Sequence, residues 1–106
     1  MKQIKLKILG TKEQKDFMDY KVIIKMIAES PQFDRNGRNM GLNVAEVRKA
    51  LRILKALNKA SDMLLLEDAD YNILKKKAQD FKWSIASENI AQFMDDIDGA
   101  QEIKKE

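Results

Sequence analysis

The chain has no cysteine and no histidine, and it holds only one proline, four glycines and one tryptophan. Without cysteine there is no disulfide and no thiolate chemistry. Without histidine the commonest general base, the commonest metal ligand and every Ser-His or Cys-His nucleophile pair are excluded. Catalysis would be left with Asp, Glu, Lys, Tyr and water, and no nucleophile–base pair stands out. The chain is therefore read as a non-enzyme that needs no cofactor. No apolar run approaches the roughly 20 residues that span a bilayer. The opening MKQIKLKILG alternates lysine with apolar residues, whereas a signal peptide follows its basic start with a continuous apolar stretch of about 7 or more. These absences point to a cytoplasmic protein with no membrane partner.

What is present suits one small domain. The 106 residues bury one core, and 44% of them are apolar while 35% are charged. The net charge of +3 is unevenly spread. Residues 1–60 carry 14 Lys/Arg against 6 Asp/Glu, and residues 61–106 carry 6 against 11. A basic half beside an acidic half suits a polyanionic partner, pairing between molecules, or neutralisation within one fold.

Residues 2–9, KQIKLKIL, alternate Ile4, Leu6 and Ile8 with Gln3, Lys5 and Lys7, the period of a half-buried strand that Gly10 ends. Thr11 with Gln14 three residues on forms a capping-box pattern ahead of a helix expected over residues 12–29. Phe17, Tyr20, Ile24 and Ile27 give that helix one apolar face. Met18, Val22 and Met26, at i, i+4 and i+8, give a second stripe, so one of the two faces has to meet the core and the other a partner or more core. Ser30-Pro31 stops the helix. Residues 30–42, which include Asn36-Gly37, read as a long irregular loop.

Asn43 is placed to cap a helix over residues 44–59, with Glu46 at its third position. Val47, Ala50, Leu51, Ile53, Leu54 and Leu57 fill a broad apolar arc, and Arg48, Arg52, Lys55 and Lys59 form a narrow basic stripe on the opposite side. DMLLL at 62–66 reads as a strand apolar on both faces and paired with the N-terminal strand. Tyr71, Leu74, Ala78 and Phe81 mark a helix near 69–82, with Asp68 as a cap. Ser87 caps a last helix near 88–97 whose face is Ile90, Phe93, Met94 and Ile97, and Gly99 stops it. The fold expected is α+β and mainly helical, with about four helices on a minimal two-stranded sheet. Its compact domain spans 1–98, and a polar frayed tail follows over 99–106.

Three constellations carry possible function. Met18, Val22 and Met26, with the sole tryptophan Trp83, are candidates for a protein interface, since methionine adapts and tryptophan anchors interfaces; beside Phe81 and Ile85, Trp83 also suits a core. The stripe Arg48, Arg52, Lys55 and Lys59, with Arg35 and Arg38 flanking the Asn36-Gly37 turn, is the candidate nucleic-acid surface. The acids Asp62, Glu67, Asp68 and Asp70, with Asp95, Asp96 and Asp98, could be weighed as cation ligands, but the spacing DADY lacks the glycine and terminal glutamate of an EF-hand loop, and carboxylates at helix starts read as caps, so no metal site is expected. Lys75, Lys76 and Lys77 spread around their helix and read as solubilising.

GLNVAEVRKALRILKALNKASDMLLL resembles the recognition helix and first wing strand of a winged helix-turn-helix over about a quarter of the chain. It departs from that pattern in having loop-like residues before the helix and no second wing strand after Leu66. RKALRILKAL, LEDADYNILKKKAQDFKW and ENIAQFMDDI, together roughly residues 44–97, resemble small proteins encoded in phage and prophage genomes. That resemblance implies an accessory or assembly role and supplies no catalytic residue. The reading is thus a protein-interaction or assembly module, self-associating or with a protein partner. The alternative is a small DNA-binding protein.

Overall fold

A computed structural model describes residues 1–14, 17–30, 32–33, 39–41, 43–81, 83 and 86–103, with backbone alone at 32–33 and 39–41. In chain order, its elements are β1 (Lys2–Lys5), β2 (Ile8–Leu9), β3 (Met18–Asp19), α1 (Tyr20–Glu29), β4 (Gln32–Phe33), β5 (Asn39–Gly41), α2 (Val44–Lys59), β6 (Met63–Leu66), α3 (Asp68–Asp80), α4 (Glu88–Asp98) and β7 (Gln101–Glu102). The fold is α+β and mainly helical, as the periodicities predict.

The N-terminal strand divides. β1 pairs with β6, as expected, and does so antiparallel, with Ile4 opposite Leu64. Past Leu6, whose N–H still donates to the Asp62 carbonyl at 2.8 Å, the chain leaves that ladder, and Ile8–Leu9 pairs instead with Met18–Asp19. Ile8 is accordingly exposed while Ile4 is buried. Gly10 makes the turn between these partners at φ +80, where a side chain would also collide with the Gln14 amide.

The first helix is half as long as its pattern suggests. Gln14 does reach back to accept from the Thr11 N–H at 2.9 Å, one half of a capping box, but its own N–H donates to the Thr11 backbone carbonyl at 3.0 Å and closes a turn instead. The Tyr20 N–H is held by the Lys7 carbonyl, and pairing with β2 keeps Met18 and Asp19 extended. Asp19 then caps α1 through the Lys21 N–H at 3.1 Å. Ser30 closes the helix, its N–H and hydroxyl both donating to the Ile27 carbonyl, and Pro31 follows in sequence.

The expected loop at 30–42 contains a hairpin: β4 and β5 pair antiparallel with a register shift. Arg35, Arg38 and Asn36-Gly37 lie outside the described residues. α2 begins where expected, with the Asn43 side chain accepting from the Glu46 N–H at 2.9 Å. At α3 the cap position falls on Glu67 rather than Asp68. Ser87 caps α4 through the Asn89 N–H. The tail is not wholly frayed: Gln101–Glu102 adds to β1 and makes a three-stranded sheet in the order β6-β1-β7.

One core joins the sheet to the helices. Ile4, Leu64 and Leu66 come from the sheet, and Tyr20, Ile24 and Ile27 from α1. Ile53 and Leu57 of α2, Tyr71 and Leu74 of α3, and Phe93 and Ile97 of α4 join them, with Met18, Ala28 and Ala78 filling between. Tyr20 and Phe93 meet edge to face at 4.9 Å between centroids, an arrangement favoured by the ring quadrupole. The Tyr71 hydroxyl donates to the Ile97 carbonyl at 2.6 Å, tying α3 to the end of α4.

Candidate interaction surfaces

The four candidate interface residues separate. Met18 is buried, because it belongs to β3 and not to the helix. Val22 and Met26 remain together on the outward face of α1, 53% and 50% exposed. Trp83 is half-buried, packed edge-on between Phe81 and Phe93 at 4.8 and 5.9 Å. Its environment is the margin of the core.

On α2 the apolar arc is wider than the core can cover. Ala50, Ile53 and Leu57 are buried, while Val47 and Leu51 at the edge of the arc, with Val44, stay exposed. The basic stripe beside them is not uniform. Arg48, Lys55 and Lys59 are exposed and form no ion pair among the described residues. Arg52 instead folds onto Asp70 of α3. Its Nη2 and Nε donate to Oδ1 at 2.9 and 3.1 Å, and Nε lies 3.3 Å from Oδ2. Asp70, 7% exposed, is buried under this contact. The guanidinium is the partner that makes a buried carboxylate tolerable. Arg52 is thus a cross-helix tie and not a free cation.

Lys77 departs from the solubilising role expected of it. Its Nζ donates to the carbonyls of Ala28 and Ser30 at 2.9 and 3.4 Å, placing a cation at the negative end of α1. Burial holds its ammonium below the ordinary lysine value, against an opposing pull from Glu46.

A cleft of about 250 Å³ opens between the outer face of the sheet and the C-terminal half of α4, lined by Gln3, Lys5, Lys7, Met63, Asp95 and Asp96 among others. Asp96 is the lining residue held from the most directions. The carboxylate accepts from the Tyr20 hydroxyl, pairs with Lys7 at 3.0 Å and accepts from Gln92 at 3.1 Å. Burial pushes the Asp96 carboxyl up, but the hydrogen bonds from Tyr20 and Lys7 prevail and hold it below its ordinary value. Burial and then the Asp96 bond push the Tyr20 phenol well above its own. Tyr20, Lys7 and Asp96 thus satisfy one another, which locks α1, the β1–β2 link and α4 together. The remaining acids are dispersed: no three His, Cys, Asp or Glu side chains among the described residues are grouped to hold a metal ion.

On the outer face of the sheet, Met63 and Leu65 are 37% and 46% exposed, alternating with buried Leu64 and Leu66. The reading of residues 62–66 as apolar on both faces anticipates this. The Arg52–Asp70 tie and the capping by Lys77 carry no comparable local signal, because each partner lies on another element.

Comparison with family models, curated proteins and solved structures finds no match. No helix among the described residues is long and apolar enough to cross a membrane.

Proposed function

We propose that the chain is a non-enzymatic protein-interaction or assembly module acting in the cytoplasm. The observation that supports this reading is the amount of aliphatic surface left open on regular elements: Val22 and Met26 on α1, Val44, Val47 and Leu51 on α2, Met63 and Leu65 on β6. Single exposed apolar residues need no explanation. Sets of them at helical or strand spacing do, because each set presents one rigid, preformed strip. An accessory role of the kind implied by the resemblance to phage-encoded proteins fits such strips.

The test compares the wild-type chain with Val22→Lys and Leu51→Lys proteins. Solution mass across a concentration series, and the stoichiometry of any protein retained from the host, are read for each. Loss of association in either variant with an unchanged melting curve supports the proposal. A wild-type monomer with no stoichiometric partner refutes it. A nucleic-acid reading retains Arg48, Lys55 and Lys59 as exposed cations on one side of α2, and its test is argued in the Discussion.

A further inference from the structure

β6 is an edge strand, and the hydrogen-bond parity of the sheet fixes which of its backbone groups are unused. The Leu6 N–H donates to the Asp62 carbonyl at 2.8 Å, and the register places Ile4 opposite Leu64 and Lys2 opposite Leu66. On the other side of β1 the Ile103 N–H donates to the Met1 carbonyl at 2.8 Å, and Gln3 lies opposite Gln101. Even-numbered residues of β1 therefore bond to β6, and odd-numbered ones to β7. It follows that Leu64 and Leu66 turn their N–H and C=O groups toward β1, while Met63 and Leu65 turn theirs off the open edge. Among the described residues no backbone hydrogen bond reaches those groups. The same two residues carry the exposed side chains of the strand.

We propose that the β6 edge is a strand-addition site, which takes an extended, apolar and basic segment of a partner protein through the backbone groups of Met63 and Leu65. This deepens the reading of the chain as an interaction module and rests on it. Strand addition draws affinity from main-chain hydrogen bonds and specificity from alternate side chains. An edge left open in this way is otherwise an aggregation hazard. Charge selects the occupant. Asp62 and Glu67, both exposed, bracket the apolar run, and the strand already bonded to the other side of β6 is the lysine-rich KQIK. A second copy fits poorly. Setting Met63 of one copy opposite Leu65 of the other, the register that joins the unused groups, puts each Asp62 one position from the other copy's Glu67.

The test uses the whole chain and two capped hexapeptides of alternating valine and threonine, one with a lysine at each end and one with glutamates. Amide exchange is followed residue by residue. In the free protein the Met63 and Leu65 amides exchange fast and those of Leu64 and Leu66 slowly. The lysine peptide protects Met63 and Leu65, binds more tightly than the glutamate peptide, and loses affinity as salt rises. Leu65→Pro removes an N–H that the internal ladder does not use, and abolishes this binding. Leu65→Lys retains the N–H and reverses the preference, which keeps the test decisive if the proline variant does not fold. Equal binding of both peptides, or no protection at millimolar lysine peptide, overturns the proposal. Protection of Met63 and Leu65 that grows with protein concentration alone overturns it in favour of a second copy. Association lost in the Val22→Lys or Leu51→Lys protein but not in the Leu65→Lys protein sinks the edge-strand proposal and leaves the broader function standing.

Discussion

Arg52 of α2 and Asp70 of α3 form a two-pronged ion pair whose halves differ in burial: the side chains are 53% and 10% exposed respectively. Arg52→Glu therefore does more than remove a surface charge. It leaves Asp70 buried without its cation and sets a second carboxylate against it, and stranding one member of a partly buried pair is the costly way to break it. The expected result is a clear drop in melting temperature for Arg52→Glu. Arg48→Glu, one turn earlier on α2, changes stability by no more than about 0.5 kcal/mol. Thermal melts of the two proteins side by side check this, and equal melting points would remove the tie from the account.

The same pair shows what could be read from the residues alone. Asn43, Ser87 and the 44–59 helix follow from caps and periodicity, which are local; the pairing of β1 with β6 is expected from two strand patterns, but its antiparallel sense is not. Arg52 reads as one of four cations at helical spacing, and Asp70 as one acid at a helix start; nothing local says that they meet. The helix expected over 12–29 is cut back to Tyr20–Glu29 for a related reason. Half of its capping pattern forms, Gln14 accepting from the Thr11 N–H, but Leu9 pairs with Met18 and the segment closes as a turn. β7 was hidden because two polar residues that borrow a strand's open side leave no period to detect.

Lys77 gives a second stability test. Its two bonds to the Ala28 and Ser30 carbonyls satisfy the end of α1, so Lys77→Met should cost about 1 kcal/mol, the net value of a typical hydrogen bond. Lys76→Met, exposed on the same helix, should be neutral. Urea midpoints with unchanged slope separate the two, and an equal response would return Lys77 to a solubilising role.

Asp96 gives the chain a pH dependence with a defined sign. Its folded-state value lies below the ordinary carboxylate value of about 3.9. The unfolded chain thus binds the proton more readily as pH falls. The stabilisation is complete above the unfolded value and is lost as pH drops through the folded one. Asp96→Asn should be less stable than wild type at neutral pH, and the gap should narrow through the acid range. A gap constant from pH 7 to 2 would show that the carboxylate's charge is not what Tyr20 and Lys7 recognise.

The last prediction concerns nucleic acid. Of the candidate stripe, the exposed cations Arg48, Lys55 and Lys59 remain, since Arg52 is held by Asp70 and Arg35 and Arg38 lie outside the described residues. Each phosphate contact releases counterions from duplex DNA, so three contacts would give a log–log salt slope of about −2.7. Val44, Val47 and Leu51 share the outward side of the same helix, and an aliphatic strip there would have to be dehydrated against a polar backbone. The next strand, β6, returns to pair with β1 and builds no wing hairpin with the residues after it, which form α3. The expected outcome is therefore no binding to unrelated duplex at low salt beyond weak non-specific retention, unchanged by Lys55→Glu. Arg48→Glu and Lys55→Glu are the informative substitutions here, because Arg52→Glu confounds lost charge with lost packing. A slope near −3 that falls by about one unit with either of them would reverse the order of the two functions.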